Sequence, residues 1–183
     1  MPFFQAYTDD STSEQGDQRL YLAGYLNREA AWTLFNLAWK EELATAPPID
    51  YLKMSEANAF VGQFDGWTIE ARDKKLRGLT RVIRHFNPLS FEVSASREKF
   101  YRDLKPMSPR GLANPHFSCA LGVIFGVARY VANTKDAMPI AFIFDEQTGV
   151  SDDLALFFDY IPRFIDSPKN RLPWGDFWIR HGA

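Results

Sequence analysis

Residues 3–12 read FFQAYTDDST, an apolar run that closes on two adjacent aspartates, Asp9 and Asp10. A second run, PIAFIFDE at 139–146, closes on Asp145 and Glu146. Short apolar, aromatic-rich stretches bounded by polar segments are β-strand signals. In open α/β sheets the crevice beyond the carboxyl ends of the strands is where ligands bind. If these two strands are neighbours, Asp9, Asp10 and Asp145 converge on such a crevice. Converging carboxylates repel, so one must take a proton or the group must bind a cation. Mg²⁺ or Mn²⁺ suits that chemistry, because a hard ion takes oxygen ligands, keeps several waters and is often held by one or two carboxylates plus a substrate phosphate. The other reading is structural, since acids at strand ends are ordinary turn and helix-cap residues.

Other chemistries find less support. The three histidines, His85, His116 and His181, lie far apart in sequence, and His116 reads as a structural residue in the first turn of a helix. G-x-S-x-G elbows, P-loops and G-x-G-x-x-G fingerprints are absent from the sequence. Cys119 is the only cysteine, which excludes an internal disulfide and a cysteine-based zinc site. Its place in an apolar helical stretch predicts a buried, inert thiol. An acidic pair at one strand end with a third acid at another also occurs in phosphorylation receiver domains, but there a helix follows the first strand, and here a hairpin is expected.

The 183 residues suit one domain with a real core, and 46% apolar content excludes a disordered chain. No basic segment precedes an apolar one near the N-terminus, and the longest mostly apolar stretch, 119–132, carries Arg129 and is too short to span a bilayer. The expectation is a cytoplasmic protein without a membrane partner. Charge is unevenly distributed: residues 66–110 carry eleven Lys/Arg against five acids, so this segment is +6 inside a chain of net −2. Such a segment can face the phosphates of a nucleic acid, or it can be a solvated helix face.

The strand at 3–10 is followed by a polar link containing Gly16 and by RLYLAGYL at 19–26, too close for an intervening helix. An antiparallel hairpin is therefore expected. Asn27 is a candidate cap for a helix to about Ala44, with Ala31, Leu34, Ala38 and nearby aromatics as its inner face. IDYLKMS (49–55) reads as a short strand or extended segment, with Ser55 capping a brief helix over EANAFVGQF. From Trp67 to Phe86 the period is helical: Ile69, Leu76, Leu79, Ile83 and Phe86 share one face, and Lys74, Arg77, Arg81 and Arg84 another. Arg72 falls on the apolar side, where a snorkelling stem with a wet head is expected. LSFEVSAS (89–96) alternates as a strand, Asn114-Pro115 opens a helix to about Asn133, 139–146 is a strand, and Ser151 opens a last helix. The order is β-β-α-β-α-α-β-α-β-α, an α/β domain with a mixed sheet.

YTDDST…YLAGYL resembles the opening "DESG … laG" signature of the bacterial family labelled domain of unknown function 3800. LKMSE, the F-D-G-W…R stretch, NPHF and AFIFDE follow in that family's order, over roughly residues 3–165. The resemblance implies a ribonuclease H-like fold, in which a first-strand aspartate and carboxylates from a central strand and a late helix hold divalent metals. It implies a metal-dependent nuclease, a hydrolase of phosphodiesters. Carried over residue by residue, Asp9 matches the first aspartate, Asp10 stands where the family usually has glutamate, and Asp145 matches the acid ending the later strand. Lys53 and Glu56, in the internal motif, would bind phosphate and assist the metal; Arg72, Lys74, Arg77, Arg81 and Arg84 would meet nucleic acid. One departure stands out. Members close with a Q-x-A-D helix, whereas this chain ends SPKNRLPWGDFWIRHGA, and Asp176 lies in the wrong context to replace that aspartate. Residues 1–165 are thus expected to form one ribonuclease H-like domain, and 166–183 an irregular tail, truncated or divergent. The alternative is a non-catalytic nucleic-acid or protein-binding module that keeps the fold without the full acidic site.

Overall fold

Leu20, Leu22 and Leu26 alternate with Tyr21, Ala23 and Tyr25, and a strand with that pattern must bury one side only. The computed structural model, which describes residues 3–12, 19–108, 113–135, 138–144 and 157, shows this arrangement. Strand β1 (Phe4–Thr12) pairs antiparallel with β2 (Arg19–Arg28), as the short link requires. On the far side of β2 lies antiparallel β3 (Leu89–Ser96), and on the far side of β1 lies parallel β4 (Ile140–Phe144). The sheet is mixed and four-stranded, in the order β3-β2-β1-β4.

Three short helical pieces link β3 onward: a single turn, α4 (Arg97–Lys99), a wider coil, Phe100–Leu104, and a 3-10 turn, Lys105–Met107. Helix α5 (Pro115–Ala132) then lies on the sheet and brings Phe117, Cys119, Ala120, Val123, Ile124, Val127 and Val131 into one core with Ala6, Leu20, Leu22, Leu26 and Phe142. Each large apolar side chain so buried stabilises the fold by about 1.5–3 kcal/mol. Asn114 starts the helix by accepting from the His116 N–H at 2.9 Å, and Pro115 supplies a preset first turn without a donor to waste. Helix α5 is long and apolar enough to cross a membrane, yet more than half of it is buried inside the protein, as expected of a helix that serves as one wall of a core.

Gly24 in β2 explains the glycine of YLAGYL. A Cβ there would overlap the Tyr7 carbonyl oxygen and stand 2.7 Å from the Phe91 ring, so the two neighbouring strands close over a residue with no side chain.

Residues 29–88 form a second compact unit, set in sequence between β2 and β3, with no linker-like composition at either junction. It holds α1 (Glu29–Ala44), α2 (Met54–Ala59), a 3-10 turn at Gly62–Phe64 and α3 (Ile69–Phe86). Leu43, Ile49, Ala57, Phe64 and Leu79 make its core, with Trp39, Leu52 and Trp67 against them. Thr68 caps α3, accepting from the Ala71 N–H at 3.2 Å. Gly78 lets α1 and α3 approach closely, since a Cβ there would occupy the place of the Glu42 carboxylate.

Several local expectations give way here. No strand forms at 49–55: the Ile49 N–H donates to the Leu43 carbonyl and the Asp50 N–H to Gln63 Oε1, so neither is left for a ladder. Helix α2 begins before Ser55, with Lys53 as its cap, and stops at Phe60, whose φ of 54° is left-handed. Asn27 lies within β2, which runs to Arg28, and its Oδ1 accepts from the Arg28 N–H at 2.9 Å; α1 begins at Glu29. The inward side of α1 carries the aromatics Trp32, Phe35 and Trp39 with Leu43, and Ala31 and Ala38 are half-buried, but Leu34 is 58% exposed; the three rings fill the space and turn Leu34 outward. Ile69, at the first turn of α3, is likewise exposed. The helix predicted from Ser151 and the tail 166–183 lie outside the described residues, except for Phe157, which stacks on Phe117 at 4.9 Å.

Candidate metal and phosphate site

The two strands are neighbours, as the reading required: parallel β1 and β4 are adjacent, with Thr8 opposite Phe144. The aspartates do not end β1, however, which pairs with β2 on through Asp9 and Asp10 to Thr12. Asp145 is the next residue in the chain after Phe144 and lies outside the described residues.

Pleating separates the two aspartates of β1. Ala6, Thr8 and Asp10 share the side that meets the core, and Asp10 stands opposite buried Leu22. Asp9 belongs to the other side with Tyr7; it is exposed and opposite Ala23. Asp10 is half-buried and close enough to His116 for its charge to act on the imidazole. Burial pushes the His116 pKa below its ordinary value and the Asp10 carboxylate opposes that shift. On the same side of β1 as Asp10, Thr8 is only 6% exposed, and its Oγ1 has no hydrogen-bond partner among the described residues.

Among the described residues no three His, Cys, Asp or Glu side chains gather into one group. Asp10 with the orphaned Thr8 hydroxyl nonetheless fits a hard ion that completes its shell with water and phosphate, which needs only one or two protein carboxylates.

The remaining candidates belong to the second unit. Glu56 Oε2 accepts from the Gln63 N–H at 3.1 Å and Oε1 from the Tyr51 hydroxyl at 3.3 Å, so this carboxylate closes the turn after α2. Lys53 Nζ stands 3.9 Å from Glu56, largely exposed. Arg72 does not hold a wet head: it donates to Asp73 Oδ1 from Nε at 2.9 Å and Nη2 at 2.7 Å, and its guanidinium lies 4.7 Å over the Phe60 ring. Lys74, Arg77, Arg81 and Arg84 are exposed along one side of α3 and make no ion pair among the described residues. Their three- and four-residue spacing puts them in one row.

Lys75, their neighbour, turns inward. It is 2% exposed and donates from Nζ to the carbonyls of Glu42, Leu43 and Thr45 and to Thr45 Oγ1. It satisfies the carbonyls left over at the end of α1 and is structural. Cys119 is buried, and desolvation pushes its thiol pKa up, as expected of an inert residue.

No protein-family model, curated protein or solved structure matches this chain. The sheet order and its covering helix define the class by themselves: an α/β protein with a four-stranded mixed sheet.

Proposed function

We propose that this chain is a divalent-metal-dependent phosphodiester hydrolase acting on nucleic acid, with a ribonuclease H-like fold akin to the domain of unknown function 3800 family. The observation that carries the reading is the parallel pairing of β1 with β4, which sets the aspartates of β1 beside the strand whose sequence continues into Asp145. An initial antiparallel hairpin followed by a helix-linked parallel strand supports the same fold.

Asp10 and Asp145 would hold Mg²⁺ or Mn²⁺, while Asp9, on the other side of β1, would stand outside that shell. Such an ion, when bound, lowers the pKa of a water nucleophile and neutralises charge on phosphate oxygens. The exposed row Lys74, Arg77, Arg81 and Arg84 would attract the polymer by releasing its counterions. Lys53 would add a phosphate contact, while Glu56 supports its turn.

The test is cleavage of labelled single- and double-stranded DNA and RNA with Mn²⁺, alongside thermal melting with the same ion. An ion that binds only the native state at a hundred times its Kd stabilises by about 2.7 kcal/mol. Wild type should cleave and melt higher with Mn²⁺, and Asp10→Asn and Asp145→Asn should each lose cleavage while still folding, with Asp9→Asn the milder change. Metal-independent cleavage, or cleavage that survives both Asp10→Asn and Asp145→Asn, would sink the proposal.

The exposed basic row favours one second reading, a nucleic-acid-binding module without turnover. It predicts salt-sensitive binding in the absence of cleavage, and a flat salt dependence would count against it.

A further inference from the structure

His85 enters no step of the reading above, yet it stands in the basic row of α3. It is exposed, four residues beyond Arg81 and next to Arg84, so it extends the line of Lys74, Arg77, Arg81 and Arg84 at the carboxyl end of the helix. A cation at that end suits the helix dipole, which accounts for Arg84 but does not call for a ring. The imidazole is also braced. It stands at 88° to the Phe86 ring with centroids 4.9 Å apart, and Phe86 meets the Phe35 ring of α1 edge-on at 5.7 Å. Phe35 in turn packs on Trp32 at 5.1 Å and on Trp39 at 5.5 Å. The contact with Phe86 takes up one face of the imidazole at most. A surface ring already held by its neighbours has less freedom to lose when a flat ligand settles on it.

Cations in a row with an aromatic ring in line are the combination that holds single-stranded nucleic acid: the cations follow the phosphates, and the ring stacks on a base. Histidine serves as such a platform as phenylalanine and tyrosine do. A duplex presents the same phosphates but keeps its base faces against one another, so a ring on the helix surface gains nothing from it. We propose that His85 is a base-stacking residue and that α3 is a track for a single strand, DNA or RNA, in preference to a duplex. The inference rests on the nucleic-acid part of the reading above and deepens it by naming the form of the polymer; it makes no use of the metal.

Fluorescence anisotropy of the full chain in EDTA, which stops metal-dependent cleavage, tests it with labelled probes of equal length: oligothymidylate, oligouridylate, a DNA duplex and a deoxyribose-phosphate strand without bases. Wild type should bind a single strand about tenfold or more tighter than the duplex or the abasic strand, the worth of one base stack. The tighter of oligothymidylate and oligouridylate tells DNA from RNA. His85→Ala should lower the single strand to the affinity of the abasic one. His85→Tyr should keep the preference, and His85→Lys, which retains a cation at the end of the helix, should lose it. The comparison of probes on wild type needs no variant to fold. A duplex or abasic strand bound as tightly as the single strand, or His85→Ala or His85→Lys as tight as wild type, would overturn the stacking role and leave the phosphate contacts of the row standing. If wild type binds none of the probes, the row has no nucleic-acid role and this inference falls with it, while the metal site is still judged by melting with Mn²⁺.

Discussion

Replacing Lys75 by Met removes one buried ammonium and keeps most of the side-chain volume. Its four acceptors are not equally dependent on it. The Glu42 carbonyl also accepts from the Thr45 N–H at 3.2 Å and the Thr45 hydroxyl at 2.7 Å, and the Leu43 carbonyl from the Ile49 N–H at 3.0 Å. The Thr45 carbonyl, 2.7 Å from Nζ, is the acceptor most dependent on Lys75. An orphaned buried carbonyl costs about 1–3 kcal/mol. Loss of a cation from the negative end of α1 adds about 0.3–1 kcal/mol, partly offset because no ammonium need be stripped of water. The net expectation is about 2 kcal/mol of destabilisation, or roughly 4–8 °C in Tm for a chain of this size.

The pH dependence carries a second signature. Burial lowers the Lys75 pKa from its ordinary 10.5, with Glu42 opposing and Lys74 adding to the fall. The native protein therefore gives up this proton at a lower pH than the unfolded chain does. Unfolding free energy rises with pH between the lowered value and 10.5, because the unfolded chain there binds more protons. Lys75→Met should remove that rise, so the difference between wild type and variant widens as the pH climbs toward 10.5. Urea unfolding at pH 7.5 and across the alkaline range measures both effects. A variant as stable as wild type at pH 7.5 would refute the capping role, and a parallel pH dependence would refute the burial argument.

Gly24→Ala should destabilise the sheet by about 1–3 kcal/mol, since the new methyl must displace the Tyr7 carbonyl or the Phe91 ring; urea unfolding checks it. Phe91→Leu should recover part of the loss in the double variant, where the two changes share one space. Cys119 should react with a disulfide reagent at pH 8 about a hundredfold more slowly in the native protein than in denaturant, because reaction requires an opening of the core. Arg77→Glu with Arg81→Glu should lower the slope of log affinity against log salt by about two for single-stranded nucleic acid, one for each phosphate no longer neutralised.

The strands and the two long helices were legible because their signals are local. Alternation at two residues marked 19–26 and 89–96, the helical period marked 69–86, and the Asn114-Pro115 cap marked the start of α5. Local signals misled where side-chain bulk decided the outcome. The aromatics read beside Ala31 and Ala38 do fill the inward side of α1, but Leu34, which has the spacing of that face, is exposed because Trp32, Phe35 and Trp39 demand more room. At 49–55 an apolar, β-like composition was overruled by backbone donors already committed to Leu43 and Gln63.

The sequence by itself determined that acids follow two apolar runs, that a basic row runs along one helix, and that the sole cysteine is buried in an apolar one. Each is a fact of composition and short-range spacing. Only the tertiary structure decided that β4 returns beside β1, and that Asp10 rather than Asp9 shares a side with Ala6, Thr8 and the first turn of α5. A one-residue shift in pleat exchanges the two aspartates between core and solvent, and that phase is set by which side of the sheet α5 covers. The meeting of residues more than a hundred positions apart is written in the packing of Leu22, Phe117 and Val123, not in the neighbours of either aspartate.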